Sequence, residues 1–242
     1  MTNRASRRAV LAIDSAGSAC SVAVGLGERI LADEQIETLH GQAEALLPLV
    51  DRTMREAGQE PSALEAIVVT VGPGSFTGIR VGLAAAHGIA LATGAQLIGV
   101  TSFAAVAAGT ARSNVSEGRF LLVTLESRRE DLYIQFFDPA GEPLAGPVVV
   151  MPSQLGDTIE AAIGAAPLLI AGDAAPRAVS ALAQRHDTRI MEGSVARAVG
   201  TLRAGLRLQR LGSAGDAPRP LYLRAPDVTL PGALRDPIRG RK

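Results

Sequence analysis

The sequence predicts an α/β protein of two similar lobes, each a mixed sheet flanked by helices. Three features predict it: strand-length apolar stretches gather in threes at the start of each half, alternating helix and strand follow each group, and the whole pattern occurs twice. A length of 242 residues accommodates two lobes, each of about 100 to 120 residues and large enough to bury a core.

In the first half, "RAVLAIDSAGSACSVAVGLGERILADEQI" holds apolar stretches at Ala9–Ile13, Cys20–Val24 and Ile30–Ile36, separated by Gly/Ser-rich and Gly/Glu-rich turns. That pattern predicts an antiparallel three-stranded meander. Next, Leu39, Ala43, Leu46, Leu47, Val50 and Met54 recur at helical spacing and Gly58 supplies a stop. Pro48 inside this helix forgoes a hydrogen bond and is expected to bend it. "AIVVTVG" is a buried strand, Gly78–Thr93 a second helix, and "AQLIGV" a returning strand.

The second half repeats the order. "FLLVTLESRREDLYIQFFD" predicts a strand, a polar turn and a strand, and "PLAGPVVVMP" a third. Ser153–Ile163 is predicted helical with Ser153 as its cap. "PLLIAGDAAPRAVSALAQRH" gives strand, Gly-Asp turn and helix, and Ser194–Leu211 a final helix.

Composition narrows the function classes. Hydrophobic residues make up 47% and charged residues 20% of the chain, with no run of 18 apolar residues, as expected of a water-soluble globular protein. Basic and acidic residues balance at 24 each, so the whole molecule has no electrostatic pull toward nucleic acid. The locally basic stretch is Arg203–Lys242, with nine Arg/Lys against three Asp, and a solvated helix and tail accounts for it. The single cysteine, Cys20, forms no intramolecular disulfide and fits a reducing compartment. Arg7 and Arg8 before an apolar stretch imitate an export signal, but Asp14 interrupts the stretch. The segment reads as a strand of a cytoplasmic protein.

"VGPGSFTGIR", residues 71–80, has the glycine density of a phosphate loop. The P-loop pattern fails because Gly72 and Gly78 are separated by five residues, and the dinucleotide pattern fails because Thr77 replaces its third glycine. A nucleophile elbow at Ser75 fails on spacing too. Asp14, at the end of the first strand before "SAGSA", either holds a magnesium-bound phosphate with Ser15 and the turn backbone, or caps that turn through its own backbone. Asp173 in "AGDAAP" fits an N-cap better than a ligand. His40 and Glu44, at i and i+4, share a helix face, but two ligands alone make no metal site; His87 and His186 fit surface or packing roles.

The helix after the glycine loop carries a stripe without appreciable side chain: Gly78, Gly82, Ala86 and Ala90, flanked by Val81, Ala85 and Ala92. Such a stripe permits close helix packing. With little that is polar beyond Arg80 and His87, the helix is expected to be buried or to meet a partner.

Five segments, "LAIDSAGSACSVAV", "LHGQAEALLPLVDRTMREAG", "VTVGPGSFTGIRVGLAAAHGIALATG", "LIGVTSF" and "PLYLR", occur in the order of the bacterial TsaB proteins, also called YeaZ, and the chain resembles that family over about residues 9–225. "GPGSFTGIRVG" is the most specific of them. The resemblance implies an actin-like ATPase (ASKHA, RNase H-like) fold with two mixed five-stranded sheets. It divides the chain into an N-terminal lobe, residues 1–104, with partner-binding helices, a C-terminal lobe, 105–215, and a tail, 216–242, partly disordered or docked.

The resemblance also implies a non-catalytic subunit of the machinery that makes N6-threonylcarbamoyladenosine at position 37 of tRNA. The related TsaD carries out the transfer there, with a metal held by an H-x3-H pair, and an ATPase, TsaE, assists. Expected partners are therefore TsaD as a heterodimer and TsaE in a larger complex, with tRNA indirect, a homodimer in isolation and no membrane. No cofactor is expected of the chain itself, and ATP or ADP with magnesium enters only at the level of the complex. The expected docking residues are His40, Glu44, Leu47, Gly78, Arg80, Val81, Gly82, Ala85 and Ala86, with Gly72, Pro73 and Gly74 shaping the loop, and Asp14, Ser15 and Asp173 as a nucleotide-site remnant. Glu126 departs from the family, which places Asp there in a D-A-R sequence. The rivals are an ATPase or small-molecule kinase of the same fold, using Asp14 and Asp173, and a protease, for which no constellation can be assembled.

Overall fold

The computed structural model describes residues 9–37, 41–114, 118–182, 187–191, 194–212 and 217–224. The first half builds strands β1 (Ala9–Asp14), β2 (Ala19–Leu26) and β3 (Arg29–Glu37), helix α1 (Gln42–Glu56), β4 (Leu64–Thr70), α2 (Phe76–Thr93) and β5 (Gln96–Val100). Its five strands lie in the order β3-β2-β1-β4-β5. The meander is antiparallel, and β4 and β5 join parallel to β1 and to each other. β1 is apolar until its final residue and buried throughout, as a central strand covered on both faces must be. β3, at the edge, alternates toward solvent.

Helix α3 (Ser102–Asn114) crosses to the second half: β6 (Phe120–Glu126), β7 (Leu132–Phe137), β8 (Val148–Val150), α4 (Leu155–Ile163), β9 (Leu168–Ala171), α5 (Ala175–Ala181), β10 (Thr188–Ile190) and α6 (Ala198–Arg210). The second sheet, β10-β9-β6-β7-β8, repeats the topology of the first. Two mixed five-stranded sheets flanked by helices are therefore present.

Four apolar clusters follow from the alternation of side chains along the strands. Leu11, Ile13, Val22 and Val69 face α1 and α2, while Val10, Ala12, Val68 and Val100 face α6. In the second sheet Leu121, Val123 and Leu125 face α3, and Leu122, Ile134 and Ile170 face α4 and α5. The layers run α1/α2, first sheet, α6 with α3, second sheet, α4/α5.

The structure departs from the sequence-based expectations in several places. Ser153 lies in a short 3-10 turn, Pro152–Gln154, and does not cap α4. α6 starts at Ala198 because Ser194 is occupied: its hydroxyl donates to Met191 O and accepts from Gly172 N. β10, three residues long, carried no sequence signal. The expected boundary assigns α6 to the C-terminal lobe, yet its apolar face, Leu202 and Leu206 included, covers the first sheet.

Candidate functional site

The glycine loop is shaped by the chain's own backbone. Ser75 N donates to Ala16 O at 2.7 Å, Ser102 N to Gly72 O at 2.9 Å and Ser102 Oγ to Pro73 O at 2.7 Å. Gly72 sits at φ 106°, where a side chain is strained. A Cβ on Gly74 would stand 2.3 Å from Ala16 O, and one on Gly78 would stand 2.0 Å from Ser15 O. The glycines thus let the β1–β2 turn touch the start of α2, and Ser75 caps that helix by accepting from Gly78 N at 3.2 Å.

The same contact occupies the residues expected to remain from a nucleotide site. Asp14 is buried and accepts from Ala16 N at 3.0 Å, the turn-capping alternative. Burial pushes its carboxyl above the ordinary carboxylate range, against the bonds from Ala16 and Thr70. Ser15 Oγ donates to Gly78 O at 2.8 Å and is spent on packing α2.

Asp173 is corrected as an N-cap, because Ala174 holds that position in α5 with no side-chain bond. Asp173 instead accepts from Glu126 N at 3.0 Å, joining α5 to the end of β6. Atoms crowding its carboxyl desolvate it and raise its pKa, with a further upward push from the Glu126 carboxylate.

Arg177 is a residue that sequence reasoning missed. It pairs with Glu126 and donates to Arg129 O at 3.1 Å and Glu130 O at 2.7 Å, so it clamps the β6–β7 turn. Glu126 is thereby consumed by a structural ion pair. Among the described residues no group of three or more His, Cys, Asp and Glu stands ready to hold a metal.

The outer face of the first lobe is different. α2 is, among the described residues, the helix long and apolar enough to cross a membrane by length and composition, and 28% of it is buried, so most of an apolar helix lacks full cover. The expected docking stripe needs correction: Gly78, Gly82 and Ala86 point inward. A Cβ on Gly82 would meet Ser15 Oγ at 2.4 Å, so these positions serve contact with the lobe's own core.

The uncovered residues lie on the opposite side. Phe76 is 64% and Leu91 88% exposed, and Leu47 of α1 is 54% exposed. Ala84, His87, Gly88 and Ala92 are exposed, and Val81 and Ala85 half-buried. A groove of about 810 Å³ runs between the helices, lined by Leu47, Val50, Met54, Ala85, Gly88 and Ala92. Glu44 is exposed in the first turn of α1, while His40 and His186 lie outside the described residues.

At the N-terminal end of this face Arg80 donates to Phe76 O at 3.1 Å, and its guanidinium lies 3.3 Å from the Phe76 ring centroid and 5.6 Å from that of Tyr222. The exposed cation is thus stacked on the aromatic pair and bonded to the first turn of α2. Phe76 and Tyr222 were legible only as members of "GSFTG" and "PLYLR"; nothing in their spacing announces that they meet.

Comparison with known proteins places this geometry. The model of the family described as TsaD, tRNA N6-adenosine threonylcarbamoyltransferase, matches residues 37–201, more than half of the chain. The tRNA threonylcarbamoyladenosine biosynthesis protein TsaB of Escherichia coli is 32% identical over 124 residues, 51% of this chain and 52% of that protein. The match thus spans about half the length of that curated relative. A Pseudomonas aeruginosa crystal structure, described as an uncharacterized protein with similarity to peptidase YeaZ, superposes with a TM-score of 0.77 at 26% identity, covering 90% of this chain and all of that one. The ROK hexokinase of Thermus thermophilus, at 15% identity and a TM-score of 0.52 over 84% of this chain and 99% of that one, shares the actin-like ATPase fold alone. The matched family model, the TsaB relative and the YeaZ-like structure agree: the chain belongs to the TsaD family, on its TsaB/YeaZ branch.

Proposed function

We propose that this protein is a non-catalytic subunit of the machinery that makes N6-threonylcarbamoyladenosine in tRNA, docking on and activating a TsaD transferase through the outer face of α1 and α2. The observation that carries the proposal is the open apolar helix pair, with Leu91 at 88% exposure beside a groove of about 810 Å³. Helix pairs of this kind close by packing against another pair, and a stable contact buries about 1,600 Å² in total. The equivalent helices of TsaD are the proposed occupant, and a second copy of this chain takes their place when TsaD is absent. Arg80, exposed and stacked on Phe76, offers a cation to a partner carboxylate at the rim.

Support for a non-catalytic role comes from the cleft. Asp14 and Ser15, which a nucleotide would need, are bonded within the chain, and Glu126 is paired to Arg177. ATP or ADP with magnesium, the TsaE ATPase and tRNA then act at the level of the complex. The competing ATPase or kinase function is separable by calorimetry with ATP and magnesium on the isolated protein, where tight binding with turnover selects it.

The test of docking is co-purification with TsaD. Leu91→Glu and Leu47→Glu place a charge in the contact while leaving the fold intact, since both positions are exposed. Each is expected to weaken binding by about 30-fold or more, the range of an interface hot spot. Wild-type affinity in both variants would exclude this face as the docking surface.

A further inference from the structure

Residues 217–224 form a strap without regular secondary structure. Its first contacts are with the first sheet. Pro218 covers Gly99 of β5 so closely that a Cβ there would stand 2.8 Å away, and Leu221 N donates to Val71 O at 2.8 Å, just beyond β4. The Leu221 side chain packs against the α1/α2 side of that sheet. Its last contacts are with the second sheet. Leu223 packs into the cluster of Phe103, Val123, Leu125 and Phe137, and Arg224 pairs with Asp131, next to the first residue of β7.

We propose that this strap is a clasp that fixes the two lobes relative to one another, with the Arg224–Asp131 pair as its catch. The lobes are also joined through the crossing of α3 and α6, where a Cβ on Gly200 would stand 2.2 Å from Ala105 O, and through the partly exposed Arg207–Glu142 ion pair from α6 to the β7–β8 loop. A backbone-to-backbone crossing carries no interlocking side chains at its centre and acts as a pivot, and two packed layers joined at a pivot shift by hinge or shear. The strap adds a further tie at a different place, from the ends of β4 and β5 to the β6–β7 turn. Asp131 is 4% exposed and its Oδ1 has no hydrogen-bond partner, so losing Arg224 strands a buried charge.

The experiment is a distance measurement between spin labels on the full chain, at Glu56→Cys on α1 and Ala161→Cys on α4, both at exposed positions. With the strap intact, one narrow distance distribution is expected. Arg224→Gln is expected to broaden it or add a longer component, and Arg224→Lys, which keeps the charge, to retain it. The double variant Asp131→Asn with Arg224→Gln leaves no unpaired buried charge and stays folded, and it is expected to broaden the distribution as well. Distributions unchanged in Arg224→Gln and the double variant would overturn the clasp; if Arg224→Gln does not fold, an unchanged double variant alone does so.

Discussion

Gly78 has no room for a methyl group. A Cβ would stand 2.0 Å from Ser15 O, and on Gly82 it would stand 2.4 Å from Ser15 Oγ. Gly78→Ala and Gly82→Leu are therefore folding variants, expected to cost about 1–3 kcal/mol or more through overpacking, as measured by urea denaturation. A Gly82→Leu chain of wild-type stability would contradict the close approach. Asp14 supplies a test in pH. Burial raises its folded-state pKa above the ordinary 3.8, so the folded state binds more protons than the unfolded chain through that window. Stability from this group is greatest below its unfolded pKa and falls as pH rises through the folded one. Asp14→Asn, which keeps an acceptor for Ala16 N, is expected to lose less stability than the wild type across a urea series run upward from pH 4. Parallel slopes would show that the carboxyl is not desolvated.

At the scale of elements, α1 carries Pro48 at an exposed position in its second turn, where the missing N–H forgoes the bond to the Glu44 carbonyl. Pro48→Ala is expected to stabilise the chain by about 1–3 kcal/mol on helix propensity, read as a higher unfolding midpoint. The α3–α6 crossing behaves oppositely: Gly200→Val forces a branched side chain against Ala105 O and is expected to lower the midpoint markedly, whereas Gly88→Ala, with open space around it inside α2, is expected to raise it, by about 0.5–1 kcal/mol of helix propensity. α2 shows why an element's pattern underdetermines its role. Small residues at Gly78, Gly82 and Ala86 announced close packing, and close packing occurs, but against the lobe's own core. The face left open is the one bearing Phe76, Leu91 and the small Ala84 and Gly88.

For the whole molecule, the division into lobes does not follow chain order. α6 comes last among the described helices and covers the first sheet, packing Leu202 and Leu206 on Val10, Ala12 and Val68. An isolated fragment of residues 1–104 exposes that apolar face. It is expected to aggregate or bind a hydrophobic dye, and to regain native circular dichroism only when α6 is supplied. A well-folded monomeric fragment would contradict the shared core.

The strands of both meanders, the two long helices of the first lobe and the twofold repetition were legible because their signals are local: alternation, helical spacing and turn residues within a few positions. "GPGSFTGIRVG" likewise marked the loop and the family. What the chain alone left open was which face of α2 is free, that Arg177 clamps Glu126, that Asp173 holds the Glu126 amide, and that the strap joins the lobes. Those facts depend on pairs 47 to 150 positions apart, such as Glu126 with Asp173 and Val71 with Leu221. Hydrophobic patterning specifies that a surface must be covered; only the packed fold decides by what.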